Sequence, residues 1–135
     1  MHIVTVNYED FNGNKRTKEC YFNFSEAEVI EMETSINGGI SEMISRAAKA
    51  EDGATIMKTF KDFILKSYGV KSLDGERFEK SDAIRDSFYQ SNAYNVLFTD
   101  LVTDATKASN FINALVPPEL LKNVQDKIEA AKAHK

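Results

Sequence analysis

IMKTFKDFILKSYGVKSLDGERFEKSDAIRDSF, residues 56–88, is the stretch around which we expect this chain to be organised. Apolar side chains recur at helical spacing over residues 54–68, and most of the charged side chains lie on the opposite side of the same helix. The stretch therefore predicts a broad apolar helix face that is buried either in the chain's own core or against a partner helix.

The second half of this stretch predicts a loop and a new helix. Gly69 is the expected end of the first helix, and residues 70–80 are mostly polar, with Asp74 and Gly75 as a turn signal. Ser81 can then cap the following helix. These signals predict a polar loop with a turn between the two helices.

Before this stretch, two runs with period-two alternation flank an Asn-Gly pair and predict a β-hairpin. A two-residue loop would place Val6 opposite Glu19, which mixes an apolar and an acidic side chain on one face. A three-residue loop that ends with Gly13 in the left-handed region pairs Val4 with Cys20 instead, and we expect this register. Because an isolated hairpin is marginal in water, it must lie on helices or continue into another subunit's sheet.

Helix signals follow the hairpin. Ser25 and Glu28 form a capping box, with Phe24 placed to contact Val29, so a helix is expected to begin here. A pair of glycines ends it, and residues 40–48 resume helical spacing.

Later helices are predicted by the same kinds of signal. Ser81 begins one bent helix or two helices up to residue 102, Thr103 offers a new cap, and Pro117 and Pro118 end the next apolar stripe. We therefore expect an α+β fold that is mostly α, with a hairpin and about six helices. Its parts are a single domain over residues 1–118, in which hairpin 2–24 packs on helices 26–116, and a C-terminal helix over residues 119–135. This last helix is either loosely attached or a docking helix for a partner.

Composition excludes several classes of protein. The 135 residues, 42% of them hydrophobic, fit one domain, and 17 Lys and Arg against 21 Asp and Glu leave a net charge of −4 without the basic excess that nucleic acid requires. No apolar run is long enough for a membrane span and no signal peptide is visible, so we expect a cytoplasmic protein without membrane or nucleic-acid partners. Cys20 is the single cysteine and is expected to be a small buried residue.

Motifs that bind ligands are incomplete. Residues 69–72 lack the earlier glycine of a phosphate-binding loop, and the twelve residues from Asp74 lack the glycine and the final glutamate of a calcium loop. His2 and His134 lie at opposite ends of the chain. The sequence therefore predicts no cofactor, no metal site and no enzymatic activity.

The order of motifs resembles the tail assembly chaperones of long-tailed bacteriophages with non-contractile tails, especially those that infect Gram-positive hosts. The segments that carry the resemblance are YFNFSEAEVIEME at 21–33, GGISEMI at 38–44, FKDFILKSYGVKSLDGERFEKS at 60–81, AYNVLF at 93–98 and TDATKASNFINALVPPE at 103–119.

This resemblance implies a non-enzymatic assembly factor in the host cell cytoplasm. Such proteins bind the tape measure protein, keep it soluble while the tail tube polymerises around it, and leave before the virion matures. A frameshifted, C-terminally extended isoform recruits the tail tube protein, and self-association is expected because many copies serve one tape measure. The alternative is a structural tail protein that stays in the virion.

Candidate partner contacts lie on the central helix, the loop after it and the C-terminal helix. The residues are Phe60, Phe63, Ile64, Tyr68, Lys71, Phe78, Leu121, Val124 and Ile128.

Overall fold

The computed structural model describes residues 1–49 and 53–133, and over these residues an N-terminal antiparallel hairpin is followed by seven helices. The expected α+β, mostly α class is confirmed. The elements are β1 (His2–Glu9), β2 (Lys15–Phe22), α1 (Glu26–Ser35), α2 (Gly39–Lys49), α3 (Gly53–Ser67), β3 (Tyr68–Lys71), β4 (Phe78–Glu79), α4 (Asp82–Tyr89), α5 (Asn92–Val102), α6 (Ala105–Leu115) and α7 (Pro118–Ala133).

The hairpin has the bulged register that the sequence predicts. Val4 pairs with Cys20, and Gly13 has a φ of 83°. The Asp10 N–H donates to the Asn14 carbonyl at 2.8 Å, and the Gly13 N–H donates to the Asp10 carbonyl at 3.0 Å. The three-residue loop is therefore confirmed.

The hairpin continues into a four-stranded sheet of order β1-β2-β3-β4, entirely within this chain. The predicted loop over residues 70–80 is wrong in part, because Phe22 pairs with Tyr68 and Lys71 pairs with Phe78. The helix ends at Ser67, before Gly69, since the Ser67 carbonyl accepts from the Asn23 N–H at 2.8 Å and the chain leaves the helix to join β2. Strands this short leave too little alternation for the sequence to reveal them.

Helix caps show where local signals suffice. The Glu28 N–H donates to Ser25 Oγ at 3.1 Å, and the Ser25 N–H donates back to Glu28 Oε1 at 2.9 Å, so the capping box is confirmed. Ser81 caps α4 as expected, and Ser91 caps a separate α5, which selects two helices over one bent helix.

The expected cap at Thr103 is wrong. Thr103 instead ends α5, and its hydroxyl donates to the Thr99 carbonyl at 2.6 Å. The neighbouring Asp104 caps α6 through the N–H groups of Thr106 and Lys107, at 3.0 and 3.1 Å. Two adjacent residues were both competent to cap, and the carboxylate accepts from two N–H groups at once.

Phe22 lies at the centre of the core and is 0% exposed. Its ring meets three others edge to face, with centroid distances of 5.7 Å to Tyr68, 6.1 Å to Phe88 and 5.2 Å to Phe111. Such pairs contribute roughly 0.5–1.5 kcal/mol each beyond their buried area. One β2 side chain thus joins the sheet to α4 and α6.

Cys20 is also fully buried, as predicted, and burial raises the pKa of its thiol.

We expect Phe22→Ala to lower the free energy of unfolding by about 3–5 kcal/mol. The change leaves a cavity in the core, and the packed elements around it cannot move far enough to fill it. Urea unfolding followed by circular dichroism measures the change. Phe11→Ala is the matched control, since Phe11 is 79% exposed, and should stay within about 0.5 kcal/mol of the wild type. Equal losses in the two variants would contradict this account of the core.

Candidate partner-binding surface

The candidates on the central helix and at the start of β3 are mostly buried. Phe63, Ile64 and Tyr68 are 3%, 0% and 5% exposed, whereas Phe60 is half-buried. Tyr68 stacks on Phe88 with a centroid distance of 3.8 Å and an interplanar angle of 4°. These three side chains therefore support the chain's own core, and partner contact through them stays a prediction.

Lys71 and Phe78 lie on the outer face of the sheet, opposite the face that packs on the helices. Ile3 pairs with Tyr21, and Tyr21 pairs with Gly69, so these positions share that face. The Phe78 ring lies over Gly69, where an added Cβ would be 2.6 Å from Phe78 Cε2. Lys71 Nζ is 5.8 Å from the centroid of the Tyr21 ring. We call Ile3, Tyr21, Gly69, Lys71 and Phe78 the sheet-face patch.

Lys80 anchors the end of β4 beside this patch. Its ammonium donates to the Asn23 carbonyl at 2.8 Å and to Glu28 Oε2 at 2.7 Å, and its side chain is 19% exposed. Burial acts to raise the pKa of the Glu28 carboxyl, but hydrogen bonds from Lys80 and from the Ser25 amide outweigh it and hold that pKa below its usual value. One cation thus connects β4 to the junction of β2 and α1.

The C-terminal helix lies against α1. Val124 is 0% exposed, and Leu121 and Ile128 are partly buried against the core. Lys127 forms an ion pair with Glu26 at the start of α1. Loose attachment of this helix stays a prediction, and residues 134–135 lie outside the described part of the chain.

An apolar groove of about 300 Å³ lies between α2, α6 and the start of α7. Leu121, one of the predicted contacts, lines it. We call it the α2–α6 groove, and its lining residues are Ser41, Ile44, Ser109, Ile112, Asn113, Val116, Pro118 and Leu121. Leu121, a predicted contact, thus lines a groove that is wide enough to accept an apolar side chain of a partner protein.

Two exposed apolar residues lie at hairpin tips. Neither is one of the nine named candidates, although Leu73 lies within the candidate loop between Lys71 and Phe78. Phe11 is 79% exposed in the β1–β2 turn, and Leu73 is fully exposed in the β3–β4 turn. The first turn is held by Asp10, whose carboxylate accepts the N–H groups of Asn12 and Asn14, both at 2.9 Å. The sequence signal for Phe11 and Leu73 is a large apolar residue inside a predicted turn.

The residues of the incomplete ligand-binding motifs have local structural roles. Asp74 Oδ1 accepts from Ser72 Oγ at 2.6 Å and from the Glu76 N–H at 3.0 Å, which closes the β3–β4 turn. His2 packs edge to face on Phe111 at 5.6 Å, and burial lowers the pKa of its imidazole. His134 lies outside the described residues. Within residues 1–49 and 53–133, no cluster of three or more His, Cys, Asp or Glu side chains could hold a metal ion.

Comparison with known proteins decides the family. A sequence model described as "Phage tail assembly chaperone" matches residues 1–135. The chain belongs to the phage tail assembly chaperone family. No curated protein and no solved structure matches it significantly. Among the helices that the structure describes, none is both long and apolar enough to cross a membrane.

Membership in this chaperone family suggests a non-enzymatic role, in which the protein acts through its surfaces. Over the described residues, this family member offers two candidate surfaces for partners, the sheet-face patch with its polar and aromatic side chains and the apolar α2–α6 groove. The first contains Lys71 and Phe78, and the second contains Leu121.

Gly69→Ala should destabilise this family member by about 1–3 kcal/mol, because the new methyl group would lie 2.6 Å from Phe78 Cε2 and 2.9 Å from the Glu79 carbonyl oxygen. Gly53→Ala is the control, since no atom of the described residues lies within 4 Å of its Cβ position, its chain neighbours aside. That change should leave stability equal or slightly higher. Urea denaturation compares the stability of the two variants with that of the wild type. A Gly69→Ala variant that unfolds at the same urea concentration as the wild type would contradict the close packing of Phe78 on Gly69.

Lys80→Met should destabilise the protein more at pH 7 than at pH 3. The folded-state pKa of Glu28 is depressed, so its stabilising contribution is present above the ordinary value of 4.5 and is lost as pH falls through the lower folded value. Part of the loss of stability in Lys80→Met persists at low pH, because the variant also lacks the hydrogen bond from Lys80 to the Asn23 carbonyl, which does not titrate.

The control for this pH profile is Lys107→Met. Lys107 pairs with Asp100 in an exposed ion pair, in which the side chains are 54% and 51% exposed, so its removal should change stability little at any pH. Thermal unfolding between pH 3 and pH 7 compares the two variants. A Lys80→Met deficit that stays constant with pH would contradict the role assigned to Glu28.

Proposed function

We propose that this chain binds the tape measure protein in the host cell cytoplasm, keeps it soluble while the tail tube polymerises around it, and leaves before the virion matures. The family match over residues 1–135 carries this proposal. Because a tape measure is a long helical chain, its apolar residues aggregate unless another protein covers them. A C-terminally extended isoform that recruits the tail tube protein belongs to the same proposal.

We assign the contact with the tape measure to the α2–α6 groove. An amphipathic helix binds by inserting apolar side chains into an apolar groove between helices, with polar groups at the rim. Ile44, Ile112 and Leu121 supply apolar surface in this groove, and Ser41 and Asn113 supply polar groups. The buried candidates of α3 and the fully buried Val124 are not needed for this contact.

Co-expression with the tape measure protein of the same phage tests this proposal. The wild type should keep the tape measure soluble and copurify with it, whereas Ile112→Glu, which places a charge in the groove, should reduce the recovered complex at least about tenfold. Met57→Glu is the matched control, because Met57 is a 41% exposed apolar residue of α3 outside the groove. Its complex should be recovered in full.

Circular dichroism of both variants checks that the fold is retained. If the wild type leaves the tape measure insoluble and no complex copurifies, the proposed function is wrong. If both glutamate variants bind like the wild type, the function stands and the groove is not its site.

Mass spectrometry of purified virions separates the chaperone from the alternative of a structural tail protein. A chaperone that leaves during assembly should be absent from mature particles while present in the infected-cell lysate. Its presence in virions at the level of other tail proteins would support the structural alternative instead.

A further inference from the structure

Within the described residues, the sheet has one long edge strand without a neighbouring strand. The order β1-β2-β3-β4 places β1, with eight residues, at one edge and β4, with two residues, at the other. A short edge offers little to a further strand, whereas a long one presents a row of backbone donors and acceptors. β1 is therefore the edge strand that can pair with a further strand.

The hairpin register decides which backbone groups of β1 face this edge. In an antiparallel pair, alternate residues turn both their N–H and C=O groups toward the partner strand. Asp10 turns toward β2, since its N–H donates to Asn14, so the odd-numbered residues of β1 turn outward. The Glu9 carbonyl confirms this phase, because it accepts from Asn92 Nδ2 of α5 at 2.8 Å.

Asn92 closes one end of the edge and leaves a run of three outward-facing residues, Ile3, Thr5 and Asn7. All three are exposed. Across the part of the chain that the structure describes, their outward backbone groups have no hydrogen-bond partner. The run also lacks the lysine, proline or bulge with which monomeric proteins usually protect an edge strand.

This run is complementary to itself. We propose that the chain dimerises by antiparallel pairing of β1 with β1 of a second copy, about a two-fold axis at Thr5. Thr5 then faces Thr5 of the second copy, and Ile3 faces its Asn7, which uses every free group of the run and forms about six backbone hydrogen bonds. On the inner face, Val4 meets Val6 of the second copy, and no charged residues are opposed over this run.

The surroundings of the edge favour a second copy as the occupant. A groove of about 630 Å³ runs beside β1, between Val4–Asn7 and the exposed side of α5. Val96 of α5 lines it and is 39% exposed. Asp100 is the only acid among the lining residues that the structure describes, and it already pairs with Lys107 at 2.9 Å. Symmetric pairing covers the backbone edge that lies beside this groove.

This dimer does not rest on the proposed function. It joins two four-stranded sheets into one and places two sheet-face patches side by side, because Ile3 belongs both to the edge run and to that patch. The α2–α6 groove lies on other elements, so pairing leaves it free. The test therefore uses the purified chain alone.

A charge exchange at Thr5 tests the interface and its register together. The wild type should sediment as a dimer at high micromolar concentration, whereas Thr5→Lys and Thr5→Glu should each dimerise at least tenfold more weakly, because like charges would face each other across the axis. An equimolar mixture of the two variants should recover the dimer. Thr5→Val is the matched control and should dimerise like the wild type.

Analytical ultracentrifugation measures these states, and circular dichroism checks the fold of each variant. A monomeric wild type would overturn the proposal. So would Thr5→Lys that associates like the wild type, since association would then use another surface. Failure of the mixture to recover the dimer would overturn the axis at Thr5.

Cysteine cross-linking gives a second measurement that does not depend on charge. Thr5→Cys should form a disulfide-linked dimer on mild oxidation, because Cα atoms in paired antiparallel positions lie within disulfide range. Thr17→Cys, on the same face of β2 but away from the edge, should not. The native Cys20 is fully buried and does not interfere. Equal cross-linking of the two variants would also overturn the proposal.

Discussion

The contact of Phe22 with three other aromatic rings is the interaction on which the rest of this structure depends. Phe22 pairs with Tyr68 across β2 and β3, and its ring also meets Phe88 of α4 and Phe111 of α6. The sheet, the chain's exit from α3 and two later helices therefore share one buried side chain. Because interiors are close-packed, these elements keep their places together.

This arrangement determines which surfaces remain for partners. The apolar face of α3 is used inside the chain, as the burial of Phe63 and Ile64 shows. The sheet keeps a polar and aromatic outer face, α2 and α6 leave a groove beside Leu121, and β1 keeps an open edge. Our two proposals place client binding and self-association on separate surfaces, so that one copy can perform both at once.

Local signals predicted much of this fold and little of the candidate site. The capping box at Ser25 and the bulged turn at Gly13 involve residues within a few positions of each other, so sequence alone places them. The strand β3 was missed because its existence depends on β2, which lies more than forty residues earlier in the chain. The cap at Asp104 was missed because the neighbouring Thr103 satisfied the same local rule.

The sequence by itself determined the fold class, the hairpin register, most helix starts and the family resemblance, because these depend on spacing and on order along the chain. The tertiary structure decided which apolar residues are covered. Phe63 and Leu121 have similar helical patterns around them, yet one is buried in the core and the other lines a groove. Burial depends on what packs from distant parts of the chain, and no local spacing carries that information.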